Sequence, residues 1–537
     1  MADVTVPGTG STKVTIPSGT GDVLDLAQQI SYALSTITGG LLQVSSQNVS
    51  GNTTVPAPVS GVGTTTQLIL SGTGTGSVTV PTGYNTIVVD TSSKSTISGS
   101  NASIISNTVG GTFFLTGNAT VGATGGNNVI VSNGTYELSS GSGNDTINGI
   151  GSGTMAGGTG SNLMFASGTQ SVVLSSGGKD TIVATSTGTT VNASGSQALV
   201  FGQFSSTAAA LNLSVSGSQA TVSAGNSKTD TTTNGSNAIV FGGFTTGAGA
   251  MKLVDSGSNT TVSAGNSSAA MTLTGTSAIV FGGTTSNAGS FSVFDNGTND
   301  TVVGLSSATT ITAGTSSKGL VGLGGSGGLF FVGSSNVATV IGGTGGATVQ
   351  GGSGGVQFTT GSKSDSVAGG TGGATLFGGA DNSVTYSGAG NLLYSANLGA
   401  SSVGGSTLAG GSATGNQLVF GNLTAGGSNS YVMTTGAGND TIIAGQGNVT
   451  LTSGAGTDIF YFLKQYSNAG KDVVTDFDTT KDTVGIFGYD STKSAAALIA
   501  NASTGVGGVT LTLSDNSTIT FSNLTSASQL NGKITYG

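Results

Sequence analysis

A nine-residue repeat constrains the fold of this chain more than any other feature. Between residues 342 and 395 the sequence falls into six consecutive blocks, GGTGGATVQ, GGSGGVQFT, TGSKSDSVA, GGTGGATLF, GGADNSVTY and SGAGNLLYS. A glycine-rich nonapeptide with an apolar residue near its end is typical of a parallel β-solenoid, in which each block forms a short strand and a tight turn. Two blocks then make one coil, and the inward apolar positions stack into a core: Val349, Phe358, Val367 and Leu376.

A longer repeat precedes these blocks. The segments that end in Phe201, Phe241 and Phe281 follow one another at intervals of forty residues. Each interval divides into 18 and 22 residues, as the glycines at 217, 235, 257 and 275 show. Eighteen residues are two nine-residue blocks, and 22 are the same coil with a longer turn. The phenylalanines could form an aromatic binding strip, but we favour a stacked interior or a flank of the solenoid.

Composition limits the function. The chain has 537 residues, 98 of them glycine, with a net charge of −9 and no cysteine or histidine. The negative charge argues against nucleic acid or an anionic membrane as partner. Without cysteine and histidine there is no thiol nucleophile, no histidine-based triad and no histidine-ligated zinc. No apolar run is long enough to span a membrane, and the first residues do not resemble a signal peptide, so we expect any export signal to lie elsewhere.

The pattern predicts three regions. Residues 1–45 contain an amphipathic helix over 22–38, capped by Asp22 and ended by Gly39 and Gly40, which we interpret as a cap on the first coil. A docking helix is the alternative. Residues 46–434 are the solenoid of degenerate repeats, and residues 435–537 form a β-rich end with a short helix near 492–502 and strands near 509–513 and 517–521.

Three blocks from Thr435 carry a metal-binding pattern, TGAGNDTII, AGQGNVTLT and SGAGTDIFY. They resemble the nonapeptides of the RTX, or haemolysin-type calcium-binding, family, whose pattern is G-G-x-G-x-D-x-U-x. The resemblance implies an all-β, right-handed parallel β-solenoid that binds Ca²⁺. The matching residues are Gly436, Gly438 and Asp440 in the first block and Gly454, Gly456 and Asp458 in the third. Since the two aspartates are 18 residues apart, we expect them one coil apart on the same edge, where they could hold one ion.

Other blocks depart from that pattern. Val449 replaces the aspartate of the middle block, so we expect the opposite edge to be metal-free, and most blocks between 342 and 395 have also lost the acid. Much of the solenoid would therefore stand without calcium. A weaker ladder is predicted upstream from Asn127, Asp145, Asn162 and Asp180. Asp145, Asp180 and Asp300 are further candidate calcium ligands, and the alternative for each is a polar turn residue.

The tail extends the resemblance. Gly470 to Asp478, followed by Lys481 and Asp482, looks like the carboxyl-terminal module of RTX proteins exported by type I secretion. In that family the secretion signal is carboxyl-terminal and uncleaved. The resemblance therefore implies a secreted protein that uses the type I secretion machinery and folds outside the cell, where calcium is abundant.

Our leading functional hypothesis is an extracellular structural protein that binds calcium and self-assembles into a bacterial surface layer or biofilm-matrix fibre. Copies of the chain would be its main partners, with cell-surface polysaccharide as a possible second. An adhesin or binding module for polysaccharide, host surface or ice is the first alternative. A polysaccharide-acting β-helix enzyme is the second, but scattered lysines give it little support, and we expect no enzyme.

Overall fold

The computed structural model describes residues 2–7, 13–18, 42–59, 65–92, 94–185, 187–204, 210–245, 247–361, 364–378, 383–396, 407–421, 423, 430–466 and 470–537. The chain divides into two compact units, Met1–Ala269 and Ala270–Gly537. The helix predicted over residues 22–38 lies outside the described residues and stays a prediction, as do the domain limits at 45 and 434. Within the described ranges, no helix is long and apolar enough to cross a membrane.

The first unit begins with an antiparallel pair, β1 (Ala2–Pro7) and β2 (Lys13–Ser18), which the sequence did not predict. Parallel pairing starts at β3, which pairs with β5, and continues through β7 to β9, while β4 pairs with β6 and β6 with β8. These strands are β3 (Leu42–Asn48), β4 (Thr53–Thr54), β5 (Thr65–Gly72), β6 (Gly76–Thr79), β7 (Thr86–Thr91), β8 (Ser95–Ser100) and β9 (Ser103–Ser106).

Four long strands follow, and each pairs in parallel with the next. They are β10 (Thr112–Ala123), β11 (Val129–Ser139), β12 (Thr146–Ala156) and β13 (Leu163–Ser175). Ile130 lies beside Ile147, which lies beside Met164, and all three are fully buried. The apolar side chains thus stack directly on one another from coil to coil.

From β13 onward two strands make each coil. The start of β13 pairs with β14 and its end with β15, so two parallel sheets diverge from this strand. We call the even-numbered series sheet I and the odd-numbered series sheet II. Sheet I of the first unit contains β14 (Thr181–Ala184), β16 (Leu199–Phe201), β18 (Thr221–Ser223), β20 (Ile239–Phe241) and β22 (Thr261–Ser263). Sheet II contains β15 (Thr189–Ala193), β17 (Ala210–Val215), β19 (Lys228–Thr233) and β21 (Met251–Asp255).

The second unit repeats this two-strand coil, and β23 (Ala269–Leu273) spans the division between the units. Sheet I of this unit contains β24 (Ile279–Phe281), β26 (Thr301–Val303), β28 (Val321–Leu323), β30 (Ala338–Ile341), β32 (Val356–Thr359), β34 (Ala374–Phe377), β36 (Leu392–Ser395), β38 (Gln417–Phe420), β40 (Thr441–Ala444), β42 (Ile459–Leu463) and β44 (Thr483–Phe487). Its sheet II contains β25 (Phe291–Asp295), β27 (Thr309–Ala313), β29 (Leu329–Val332), β31 (Ala347–Gln350), β33 (Asp365–Ala368), β35 (Ser383–Ser387), β37 (Thr407–Ala409), β39 (Ser430–Thr434), β41 (Asn448–Thr452) and β43 (Lys471–Val474).

The nine-residue blocks form the strands that the sequence predicts. Each of the six blocks between 342 and 395 gives one strand, β31 to β36, and these alternate between the two sheets. The inward positions Val349, Phe358, Val367 and Leu376 are buried as expected. The sheets pack face to face, because a side chain at Gly322 of sheet I would meet Ile311 and Phe331 of sheet II. The all-β parallel solenoid is therefore confirmed, while its handedness stays a prediction.

The carboxyl-terminal end combines parallel and antiparallel pairing. A short helix, α1 (Ala495–Ala500), is capped by Ser494 and precedes β45 (Ser503–Gly505), β46 (Gly508–Thr512), β47 (Thr518–Phe521) and β48 (Ile534–Tyr536). Two 3₁₀ turns, Lys464–Tyr466 and Ala527–Leu530, complete it. β46 pairs antiparallel with both β45 and β47, whereas β47 extends sheet II beside β43. The helix and the two strands predicted here are confirmed to within a few residues.

Candidate calcium site

Asp440 and Asp458 each lie immediately before a strand of sheet I in the second unit. Thr441 of β40 pairs with Ile459 of β42, so the two aspartates stack one coil apart on the same edge, as their spacing predicts. Both side chains are 1% exposed. The glycine-rich turn before each strand brings the chain round sharply and places the carboxylate inside the edge rather than in solvent.

Each carboxylate binds the backbone of the preceding coil. Asp440 Oδ1 accepts a hydrogen bond from the N–H of Gln417 at 2.7 Å, and Asp458 Oδ1 accepts one from the N–H of Asp440 at 2.8 Å. The aspartate position thus has a structural role that does not depend on metal. It supplies an acceptor for an N–H that the curve of the turn leaves without a strand partner.

Asp482 is a third member of this column. Its Oδ1 accepts the N–H of Asp458 at 3.0 Å, and its Oδ2 accepts the N–H of Asp478 at 2.8 Å. The sequence placed Asp482 in the secretion module rather than in the ladder, because a coil of 24 residues breaks the eighteen-residue rhythm. The signal that could have found it is local, since Asp482 also stands directly before a strand with an apolar residue two positions on.

Burial and mutual repulsion make these carboxylates unusual acids. Desolvation is the main cause that raises the pKa of Asp440. The pKa of Asp458 is raised mainly by desolvation and further by the negative charges of Asp440 and Asp476. Asp482 follows the same pattern, with Asp458 and Asp478 as its charged neighbours. A cation at this edge would relieve both effects, because it stabilises the ionised form of each carboxyl.

Oxygen atoms remain available in this column. The Oδ2 atoms of Asp440 and Asp458 are buried and accept no hydrogen bond of normal geometry. The Thr435 and Ser453 hydroxyls lie near these carboxyls and act to lower their pKa, but the Thr435 hydroxyl donates its hydrogen bond to the Ser453 carbonyl oxygen at 2.9 Å. Buried carboxylate oxygens normally have a hydrogen-bond or ionic partner. Where the protein itself supplies none, a water molecule or an ion takes that place.

The glycines of the two matching blocks stack backbone on backbone. A Cβ at Gly454 would lie 2.1 Å from the carbonyl oxygen of Gly436, and one at Gly456 would lie 2.0 Å from that of Gly438. Gly454 also has a φ of +83°, which side-chain-bearing residues rarely adopt. The glycines therefore leave room for carbonyl oxygens of successive coils to crowd together beside the carboxylates.

This donor set fits a hard cation. Ca²⁺ takes six to eight oxygen ligands from carboxylates and backbone carbonyls, which are the groups that converge here. Among the residues with described side chains, no three acidic groups lie close enough together to hold an ion by themselves. Asp440 and Asp458 would hold calcium with their free Oδ2 atoms, and carbonyls of the glycine turns would supply the remaining ligands.

On the opposite edge Val449 stands at the aspartate position of its block, and the absence of metal from this edge stays a prediction. Val449 is buried, and its N–H donates to Oδ1 of Asp472 at 3.2 Å. Desolvation raises the pKa of Asp472 to about 7, with a smaller contribution from the charge of Asp515. An aspartate of the following coil therefore caps this edge too, as Asp458 caps the N–H of Asp440.

The upstream ladder exists in the first unit, with one correction. Its first member is Asn128 and not Asn127, because the buried positions are 17 residues apart there. The Asn128 N–H donates to Asp145 Oδ1 at 2.5 Å, and the Asp145 N–H donates to Asn162 Oδ1 at 3.0 Å. Asn127 lies on the exposed side of the turn, where its Oδ1 accepts the N–H of Asn144 at 3.2 Å.

The upstream candidate ligands differ in how far their oxygens are engaged. Asp180 accepts the Asn162 N–H at 2.7 Å with Oδ1 and the Ser175 hydroxyl at 2.5 Å with Oδ2, so it acts as a turn residue. Asp145 keeps a buried Oδ2 without a hydrogen bond, and desolvation raises its pKa to about 6. In the second unit, Asp300 is buried and accepts the Ala278 N–H at 2.7 Å.

Comparison with known families identifies the same segment. Residues 434–464 match the family model of the RTX calcium-binding nonapeptide repeat (4 copies). No curated protein and no solved structure is significantly similar to the chain. The chain therefore carries RTX repeats, and the matched residues include the Asp440 and Asp458 column. RTX repeats are calcium-binding motifs typical of secreted proteins.

Proposed function

We propose that this protein is a secreted structural protein that binds calcium through its RTX repeats and self-assembles into a bacterial surface layer or matrix fibre. The observation that carries the calcium part is the stacked pair of buried carboxylates with free Oδ2 atoms beside a glycine carbonyl column. The observation that supports assembly is the length over which parallel coils repeat in each unit. We propose no catalytic role.

Calcium binding can be tested at the named carboxylates. Asp440→Asn or Asp458→Asn should weaken calcium binding by at least about tenfold, because each change removes ligand charge while keeping an oxygen for the Gln417 or Asp440 N–H. Asp180→Asn is the matched control, since both of its oxygens are already engaged by the protein. Titration calorimetry of the whole chain measures the affinity. Equal affinities for the native chain and both test variants would remove this column from the proposal.

Assembly can be tested by electron microscopy of the purified protein, first with calcium and then with chelator. We expect sheets or filaments with calcium and their loss or loosening with chelator. A chain that stays monomeric with bound calcium at every concentration would contradict the structural role.

Export can be tested separately. Fusion of residues 435–537 to a reporter protein should make that reporter a substrate of a type I secretion system.

A second candidate function is an adhesin for polysaccharide. A shallow cavity of about 330 Å³ lies on the outer face of sheet II in the first unit. Its lining includes polar and charged residues that lie in register on successive strands, Thr190, Asn212, Asp230 and Lys252, and Asn192 lies in the neighbouring column. Such groups can hydrogen-bond sugar hydroxyls. Glycan-array binding by the monomer, lost in Asn212→Ala, would favour this function over assembly.

A further inference from the structure

The outer face of sheet I in the first unit carries no charge, and its large side chains are apolar. On this face β16, β18, β20 and β22 each turn one residue inward and two outward, and β14 and the start of β13, which pairs with it, each present two outward residues as well. We call the twelve outward positions the sheet I face. They are Leu163, Phe165, Thr181, Val183, Leu199, Phe201, Thr221, Ser223, Ile239, Phe241, Thr261 and Ser263. None carries a charge in a chain whose net charge is −9.

Large and small residues alternate along this face. Leu199 pairs with Thr221, Thr221 with Ile239, and Ile239 with Thr261. The neighbouring column alternates in the same phase, with Phe201 and Phe241 separated by Ser223. The forty-residue repeat therefore produces apolar ridges two coils apart, at a pitch of ~10 Å, with a small-residue groove between them.

The ridges of β16 and β20 each end in an exposed ring on a hydrogen-bonded backbone. Phe204 and Phe244 follow β16 and β20 and are 53% and 54% exposed. The carbonyl of Phe204 accepts a hydrogen bond from the Asn226 side chain, and that of Phe244 accepts one from Asn266 at 2.6 Å. The ring of Phe244 also lies 6.2 Å from that of Phe241. These rings are therefore presented in a defined place, which lowers the entropy that a partner contact would cost.

We propose that the sheet I face is the surface through which two copies of this chain pack side by side, an inference that rests on the proposed self-assembly. A face with ridges at a constant pitch is complementary to itself when one copy is displaced by one coil, since ridges then enter grooves. The absence of charge matters equally, because two copies that each carry −9 can approach closely only where neither presents a charge.

The size of the face suits a second copy. Leu199 and Ile239 are 39% and 38% exposed, and Phe204 and Phe244 are about half exposed. The twelve positions together with these two rings offer on the order of 600 Å² per copy, or about 1,200 Å² for a pair, which is the lower end of the range for specific interfaces. An anionic partner would find no basic group on these twelve positions.

The test replaces the large apolar residues of two ridges by the small residues that occupy the grooves. A variant with Leu199→Thr, Phe201→Ser, Ile239→Thr and Phe241→Ser copies the residues that this chain already has at β18 and β22. The matched control changes exposed apolar residues of sheet II, Val254→Thr and Phe294→Ser. Sedimentation velocity of the whole calcium-loaded protein over a concentration series gives the assembly midpoint, and thermal melts verify that both variants fold.

We expect the ridge variant to need at least about tenfold more protein to assemble than the native chain, and the control to behave as native. A ridge variant that assembles at the native midpoint overturns this inference and leaves the proposed self-assembly standing through another surface. A native chain that binds calcium but never assembles contradicts the proposed function itself. Loss of glycan binding by the ridge variant of a monomeric chain would also overturn the inference, in favour of a carbohydrate partner.

Chemical cross-linking provides an independent readout, because the chain has no native cysteine. Ile239→Cys should give dimers with a short bismaleimide under assembly conditions, and Val254→Cys should not. Equal yields from the two positions would contradict packing through the sheet I face.

Discussion

At the scale of single residues, one position of the repeat has two roles. Where the repeat keeps an acid, its side chain caps a backbone N–H of the preceding coil in both sheets. Asp440 does so directly before β40 of sheet I, and Asp365 does so as the first residue of β33 of sheet II, where its Oδ1 accepts the Ala347 N–H at 2.7 Å. Only some of these acids keep a buried oxygen free for an ion. This explains how a solenoid can lose calcium ligands from block to block and still retain occasional aspartates.

Asp472 should make the stability of the calcium-free protein depend on pH. Its pKa is raised to about 7 by burial, so between pH 4 and 7 the folded state binds a proton that the unfolded state has lost. Stability is therefore full below pH 4 and falls as pH rises through 7, by up to about 4 kcal/mol from this residue. Asp472→Asn should reduce the difference between pH 5 and pH 8 in denaturant unfolding with chelator.

The control for that experiment is Asp490→Asn. Hydrogen bonds from Thr492 lower the pKa of Asp490, so it is ionised at both pH values and its substitution should leave the difference unchanged. An Asp472→Asn protein with the native pH dependence would show that another group is responsible.

Gly454 should tolerate no side chain. Gly454→Ala places a Cβ 2.1 Å from the Gly436 carbonyl oxygen and strains a φ of +83°, so we expect a loss of roughly 1–3 kcal/mol even without calcium. Gly505→Ala is the control, because nothing lies within 4 Å of its Cβ position. Thermal melts in chelator compare the two, and equal melting temperatures would argue against backbone stacking as the reason for the glycine.

At the scale of elements, three- to five-residue strands are stable only as members of a stack. Alternation along each strand sends one side chain into the core and the next outward, as Phe331 and Phe330 of β29 illustrate. Phe331 is fully buried beside the space at Gly322, whereas Phe330 is 37% exposed. We therefore expect Phe331 to contribute strongly to folding stability and Phe330 to contribute little.

That contrast gives a matched pair of variants. Phe331→Ala should cost about 3–5 kcal/mol of unfolding free energy, because it leaves a cavity between the sheets. Phe330→Ala should change it by less than about 0.5 kcal/mol, as is usual for surface positions. Denaturant titration measures both, and a similar cost for the two would contradict the assigned strand register.

At the scale of the whole molecule, calcium should act unevenly. Within the second unit, the RTX segment at 434–464 contains the carboxylates Asp440 and Asp458 with free Oδ2 atoms, whereas the coils between 338 and 395 are held mainly by buried apolar side chains of their strands, such as Val349 and Phe358. Chelator should therefore speed amide hydrogen exchange by about tenfold or more after residue 434 and change it little between 338 and 377. A uniform loss of amide protection in chelator would mean that the calcium-poor coils do not stay folded without calcium.

The sequence by itself determined the parallel solenoid, its coil length and the placing of Asp440 and Asp458 on one edge, because period and glycine spacing are local properties of the chain. It misplaced Asn127 by one residue and overlooked Asp482, since coils of 17 and 24 residues shift the register that an eighteen-residue rhythm assumes. Only the tertiary structure decided which aspartate oxygens the neighbouring coil already uses. It alone also decided that Phe201 and Phe241 face outward. The orientation of these rings and the use of the aspartate oxygens both depend on how successive coils pack on one another.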